Sequence, residues 1–234
     1  MSSRDDQARR SIQVDGERDR GRWQQVAVYV IGDVHGELDK LRGLIDRVNP
    51  GSDDILIQLG DCVDRGPDSY GVVEYWISFS RCQFCVIGGN HEELVFEYLS
   101  EGSDAIYQYG GAATIESYRR NGWECRRGDI SSIPDSHLQF YLQTYRWTLP
   151  LLASRDFIFT HAGYDFLKDR KSQNPYDLRW GRVQGWKQGL PTVVRGHTPH
   201  DRVRFGKGII EVDTGCGLGG KLSCVRLADR TVIQ

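Results

Sequence analysis

VAVYVIGDVHGELDKLRGLIDRV, residues 26–48, sets three kinds of sequence in a row. Six apolar residues come first, then the polar turn GDVHG (32–36), then a stretch whose apolar residues return at helical spacing. An apolar run rich in β-branched residues and closed by glycine reads as a buried strand. In ELDKLRGLIDRV, Leu38, Leu41, Leu44 or Ile45, and Val48 fall on one helical face, and NPG (49–51) stops the helix. Asp33 and His35 therefore sit at the mouth of a buried strand. A carboxylate there must be paired or bound to metal, because an isolated buried charge is too costly.

The pattern returns. DILIQL (54–59) runs into GDCVDRG (60–66), CQFCVIG (82–88) into GNHEE (89–93), RDFIFT (155–160) into HAG (161–163), and PTVVR (191–195) into GHTPH (196–200). PDSYGVVEYWISFS (67–80) reads as a second helix with Pro67 near its start, and HEELVFEYLS (91–100) as a third. This strand–helix alternation predicts an α/β sandwich with parallel pairing. From residue 101 to 150 the pattern changes: YGGAATIESYRRNGW (109–123) is glycine-interrupted and aromatic, and PDSHLQFYLQTYRW (134–147) is helical with Leu138, Leu142 and Tyr145 on one face. The stretch reads as an inserted helical cap, not a separate domain. The final strands, GIIEVDTG (208–215) and KLSCVRLAD (221–229), are consistent with a closing hairpin.

The 234-residue chain is 39% hydrophobic and 26% charged, with a formal net charge of −2. A domain of this length buries roughly 70% of its unfolded surface, so it needs no staples. No global basic field draws it to nucleic acid or an anionic membrane. No run approaches the roughly 18 apolar residues of a membrane span, and the N-terminus lacks a signal-peptide core, so a cytoplasmic protein is expected; a monomer is the separate expectation for its oligomeric state. Residues 1–22 mix both charge signs with almost no apolar residues and are expected to form a mobile arm before a single domain over residues 23–234, whose first strand spans Trp23 to Ile31. Of six cysteines, Cys82 and Cys85 form a lone CxxC. A zinc site needs a second ligand pair, so these read as buried or edge thiols.

In open α/β sheets, ligands bind beyond the carboxyl ends of the strands, so the five clusters should converge. Asp33 and His35 are two apart, which in an extended chain puts both on one side. Asp61, Asn90, His161 and His197 come from the other strand ends. Carboxylate and amide oxygens mixed with imidazoles suit first-row divalent metals. Six ligands exceed one tetrahedral ion's needs, and a two-metal site, its ions about 3.5–4 Å apart, is the economical solution and suits phosphoryl displacement. With Asp33 and Asp61 the only anions counted, the two cations keep a positive surplus for phosphate.

GDVHG, GDCVDRG, GNHE, HAG and GHTP in this order resemble the phosphoprotein phosphatases within the calcineurin-like metallophosphoesterases, over about residues 26–225. The YGGAATIESY, LQTYRWTLPLL and VDTGCGLGGKLSCV stretches look most like the single-domain bacterial and phage serine/threonine phosphatases. The resemblance implies a central β-sandwich of two mixed sheets flanked by helices. It assigns Asp33, His35 and Asp61 to one metal, Asp61 as the bridge, and Asn90, His161 and His197 to the second. His91 matches the general acid, Asp64 the carboxylate that orients it, and Arg65 a phosphate-binding arginine. A second comes from a Trp-x-Arg stretch, where WGR offers Arg182, with Arg179 three residues earlier. The ions implied are manganese first, with iron, zinc or nickel as alternatives, and the nucleophile is a metal-bridging hydroxide. No phosphoenzyme is needed, so Cys216 is a bystander.

The expected substrate is a phosphoprotein or phosphorylated small molecule, with phosphoserine and phosphothreonine leading and phosphotyrosine behind them. A diadenosine tetraphosphatase-like hydrolase of dinucleoside polyphosphates is the alternative, since those relatives tend to lack the full VDRG that stands intact here. A non-catalytic scaffold on the same fold would be expected to have lost ligands, and all are present.

Overall fold

The computed structural model describes residues 26–144, 151–153 and 156–234. The expected arm, the start of the first expected strand and Tyr145 lie outside the described residues.

Strands β1 (Val28–Ile31), β2 (Ile55–Gln58) and β3 (Gln83–Val86) lie parallel, with Val28 opposite Ile55 and Ile55 opposite Gln83. Helices α1 (Leu38–Val48) and α2 (Ser69–Ser78) connect them, and α3 (Asn90–Glu101) follows β3. The first strand is shorter than expected, and α1 buries the face read from its periodicity: Leu38, Leu41, Leu44, Ile45 and Val48. Asn49 ends it in the left-handed conformation that asparagine tolerates. Asp68 caps α2, accepting from the Gly71 N–H, so Pro67 stands just outside the helix.

A second sheet runs β4 (Leu151–Ala153), β5 (Phe157–Thr160), β8 (Thr192–Arg195), β10 (Ile209–Glu211), β9 (Arg204–Gly206) in spatial order, parallel in its middle and antiparallel at both edges. Val28, Val30, Ile55 and Ile57 from the first sheet meet Phe159, Val194 and Ile210 from the second. The alternate residues Tyr29, Ile31 and Leu56 point the other way, into a core shared with α1, α2 and α3. Period-two alternation on strands covered on both faces makes β1 apolar throughout and β2 apolar up to the buried Gln58. β6 (Tyr164–Asp165) and β7 (Val183–Gln184) form a small parallel pair flanking α6 (Pro175–Trp180).

The expected hairpin between the last two motifs does not form. β10 pairs with β8 and β9, whereas β11 (Cys224–Arg226) pairs with β1 and with β12 (Thr231–Ile233). Instead β10 forms a hairpin with β9, and β11 with β12. Residues 212–223 cross from one sheet to the other through left-handed glycines at 215 and 219, and the Gly32 N–H donates to the Ser223 carbonyl on arrival.

The inserted segment contains α4 (Ala112–Arg120) and α5 (Asp135–Leu142) and packs on α2 and α3. It thickens the helical layer, and a 3₁₀ turn at Ala105–Tyr109 reaches the strand ends. The face expected on α5 is displaced. His137, Phe140 and Tyr141 are buried, with Leu138 and Leu142 half-buried beside them. A polar network draws that face inward: His137 bonds the Tyr118 hydroxyl and the Glu74 carboxylate at 2.7 Å each, and Tyr118 meets Tyr141 at 3.1 Å. All six cysteines are free thiols, and burial pushes Cys82 and Cys85 up to about 11 and Cys216 up to about 12. Among the described residues no helix is long and apolar enough to cross a membrane.

Candidate metal centre

The carboxyl ends of β1, β2, β5 and β8, with the start of α3, place the polar motifs together. Their backbones are unusual. His35, Asp61, Asp64, Arg65 and His197 all have positive φ, between 48° and 69°, a conformation that costs a non-glycine residue free energy. Asp33 and His35 therefore share the site through a left-handed turn, not through an extended chain as their spacing suggested. At Gly89 and Gly196 a Cβ would collide with the carboxylates of Asp61 and Asp33, which leaves room only for glycine.

Two groups of donor atoms meet at Asp61. In one, His35, Asp61 and His91 offer atoms within 4.8 Å of one another; in the other, Asp61, His161 and His197 do the same. Asp61 Oδ1 accepts from the His91 backbone N–H at 3.0 Å. Its Oδ2 faces His161 Nε2 at 3.4 Å, His35 Nε2 at 3.7 Å and His91 Nε2 at 3.8 Å. Asn90 Oδ1 joins the second group, 2.9 Å from His161 Nε2 and 3.0 Å from His197 Nδ1. Asp33 is fully buried beside them, and its carboxylate accepts from the His197 N–H at 3.0 and 3.2 Å.

This donor set fits metal. His35 Nδ1 donates to the Val63 carbonyl at 2.9 Å, and His161 Nδ1 to the Leu59 carbonyl at 2.7 Å. Each therefore presents an Nε2 lone pair inward, as ligating histidines do. His161 Nε2, His197 Nδ1, Asn90 Oδ1 and Asp61 Oδ2 converge on one small space, as donor atoms around a cation would. The guanidinium of Arg65 plays the cation's part toward the other group, lying 2.7 Å from His35 Nε2 and 3.1 Å from His91 Nε2.

Burial shapes the charges. It pushes Asp33 well above the usual carboxylate range, aided by the nearby Asp213 and Asp61 charges. Asp61 goes the other way: burial opposes its charge, but His161 and His91 outweigh it. Burial lowers His35 to about 3 and His197 to about 4, keeping both imidazoles unprotonated and able to ligate. For His91, burial resists protonation, yet Asp61 and the bonded Asp64 prevail and hold it above its ordinary value. His91 Nδ1 donates to Asp64 Oδ2 at 2.7 Å, with both side chains fully buried. Thr114 donates to Asp64 Oδ1 at 2.5 Å, and the Asp64 N–H is taken by Ser69 and Thr114.

The two arginines of the WGR region part company. Arg179 is buried and bonds Glu93 at 2.9 Å, while Arg182 is exposed. Trp180 also donates to Glu93, at 2.8 Å, and its ring lies 6.2 Å from His197 and 5.4 Å from Tyr109.

Sequence reasoning missed two buried carboxylates. Asp213, in the VDTG turn, is buried and stands near enough to Asp33 to raise it, so it belongs beside the two anions counted from the sequence. The strand-end signal that found the others was present there too. Glu92 accepts the backbone N–H groups of Gly89, Asp61 and Cys62. Its place at the third position of a helix, where a glutamate reaches back to the cap, was the available signal.

A family model described as calcineurin-like phosphoesterase matches residues 26–217. The serine/threonine-protein phosphatase 1 of Salmonella typhimurium is 25% identical over 214 residues, covering 86% of this chain and 91% of that protein. An asymmetrical bis(5'-nucleosyl)-tetraphosphatase of Oceanobacillus iheyensis is also 25% identical, covering 88% and 90%. A solved structure of a proposed diadenosine tetraphosphatase superposes with a TM-score of 0.65 at 20% identity, over 89% of this chain and 92% of that one, a likeness of fold.

Proposed function

Because the chain belongs to the calcineurin-like phosphoesterases, we propose that it hydrolyses phosphomonoesters, with phosphoserine and phosphothreonine in proteins as substrates. The observation that carries this reading is the buried His91–Asp64 pair, bonded at 2.7 Å beside Asp61, with Arg65 in contact with the same imidazole. A serine or threonine alkoxide is a poor leaving group and needs a proton, which a histidine whose protonated form is favoured by Asp61 and Asp64 can deliver.

Asp33, His35 and Asp61 would hold one divalent ion and Asp61, Asn90, His161 and His197 a second, with manganese as the resident metal. When bound, the ions supply Lewis acidity, acidifying water and offsetting phosphate charge. The chain's own residues do the rest. Arg65 leaves the imidazoles and grips two phosphate oxygens, matching its planar fork to them. That movement frees His91 Nε2, which carries the proton toward the leaving oxygen. Asp64 keeps the proton on Nδ1 and supports the positive ring, and Thr114 and Ser69 keep Asp64 in place. Arg182, exposed at the end of α6, is the arginine free to reach substrate, since Arg179 is committed to Glu93.

One observation favours a dinucleoside polyphosphate as the second reading. Tyr109, Trp180 and Tyr176 form a run of rings leading out from His91 and His197, with Tyr176 stacked on Trp180 at 20°. Such rings stack nucleobases. A turnover panel with Mn²⁺-loaded protein decides between the two. Phosphopeptides turned over faster than diadenosine tetraphosphate uphold the protein-phosphatase reading, and the reverse order replaces it with the second.

A further inference from the structure

Glu92 stands beside the site and touches none of the groups assigned to phosphate. It is fully buried at the third position of α3. Its Oε2 accepts the N–H of Gly89 at 2.8 Å and of Asp61 at 2.9 Å, and its Oε1 accepts the N–H of Cys62 at 2.6 Å. Only one of these three, Gly89, belongs to the turn leading into its own helix. The other two belong to the loop after β2, thirty residues earlier in the chain.

The Asp61 peptide is held from its other end as well. Its carbonyl accepts the Val34 N–H at 3.0 Å and the His35 N–H at 2.9 Å. Asp61 thus lies at the meeting of three loops: the one after β1 carrying Asp33 and His35, its own, and the one leading into α3 with Asn90. Four of the six candidate ligands sit on those loops. The backbone of Asp61 is left-handed, at φ 55°, a conformation that persists only when its surroundings over-determine it. Glu92 is the side chain that does so from the α3 side. With the backbone so placed, His91 N–H takes Oδ1, and Oδ2 turns toward both groups of donors.

The charge matters as much as the reach. Three N–H donors converge on one carboxylate, and each oxygen must accept. A glutamine in this place keeps the length but turns an NH₂ toward at least one backbone N–H, setting donor against donor.

We propose that Glu92 is the positioning residue of the candidate metal centre: its carboxylate locks the Asp61 backbone so that Oδ2 faces both groups of candidate ligands. The inference rests on the metal-site reading above. Loss of an outer partner of this kind costs about 10–100-fold in metal affinity or activity.

The test is Mn²⁺ titration of metal-free wild type and Glu92→Gln, at a temperature well below the melting transition of each. Calorimetry reads stoichiometry and affinity, and electron paramagnetic resonance reads the exchange-coupled signal of paired Mn²⁺. Wild type should bind two ions and show the coupled signal. Glu92→Gln, still folded by circular dichroism, should bind the second ion at least about 10-fold more weakly and lose the coupled signal. If Glu92→Gln does not fold, Glu92→Asp, which keeps the charge and shortens the reach by one methylene, is read in the same way and should show the same loss. Wild-type Mn²⁺ affinity and coupling in a folded variant would overturn the proposal, whatever happened to its melting temperature. Failure of the wild type to bind a pair of ions would instead overturn the metal-site reading on which it stands.

Discussion

His91→Asn separates proton delivery from everything else the imidazole does. In the structure Nδ1 donates to Asp64 at 2.7 Å, while Nε2 faces Arg65 and the Asp61 oxygen. An asparagine amide nitrogen falls close to where Nδ1 lies, so the variant keeps a donor for the buried Asp64 carboxylate. It deletes only the Nε2 edge. Breaking the pair outright would leave an uncompensated buried charge, at a cost of about 3–5 kcal/mol. With the donor retained, the fold should survive and the loss should be chemical. General acid catalysis contributes about 10²–10⁴-fold, which is about 2.7–5.4 kcal/mol of barrier at 1.36 kcal/mol per decade. That full loss in kcat is expected for a phosphoserine peptide, whose alkoxide needs the proton. For para-nitrophenyl phosphate the leaving group departs largely unprotonated, and the loss should be at least about 10-fold smaller. Steady-state kinetics on both substrates, with Mn²⁺ content measured alongside, reads the difference. Equal losses on the two substrates would refute the acid assignment and make His91 a phosphate-positioning residue.

Arg65→Ala should raise KM and lower kcat with Mn²⁺ content unchanged, because the guanidinium is assigned to substrate; loss of metal would make it structural. Chelation should abolish turnover, and Mn²⁺ should restore it at two ions per chain by elemental analysis; activity in fully metal-free protein would end the metal reading. Leu44→Ala removes a fully buried side chain from the core between α1 and the first sheet, so denaturant titration should show a loss of about 2–5 kcal/mol. His137 is held below its ordinary 6.5, chiefly by burial, against an opposing Glu74. The unfolded chain then binds the proton first, so this stability is complete above the unfolded value and falls as pH drops through the window just below 6.5. Melting curves over that window should be shallower for His137→Gln, and equal slopes would remove His137 as the titrating group.

The strand-end motifs carried most of the fold and the candidate ligands in the sequence itself. An apolar run that stops at Gly-Asp, Gly-Asn or Thr-His announces locally that a buried strand is ending on polar groups. The helical spacing of Leu38, Leu41, Ile45 and Val48 announces a face in the same way. Both signals need only neighbours in the chain. What the tertiary structure decided are choices between distant partners. GIIEVDTG and KLSCVRLAD read as a hairpin because they are adjacent and apolar, but which sheet each joins depends on strands far away, and they joined different ones. Leu138 and Leu142 gave way on α5 to His137 because Tyr118 and Glu74, on two other helices, satisfy both ring nitrogens. The proposed preference for Arg182 over Arg179 also turns on a distant partner, Glu93, whose carboxylate takes Arg179. Glu92 in GNHEE could be read as a helix-start residue, yet its hold on Asp61 and Cys62 exists only once β2 and β3 lie side by side. The left-handed backbones at His35, Asp61 and His197 belong to the same class. Local preference disfavours them, and only the surrounding hydrogen bonds, contributed by loops from across the chain, make them the stable arrangement.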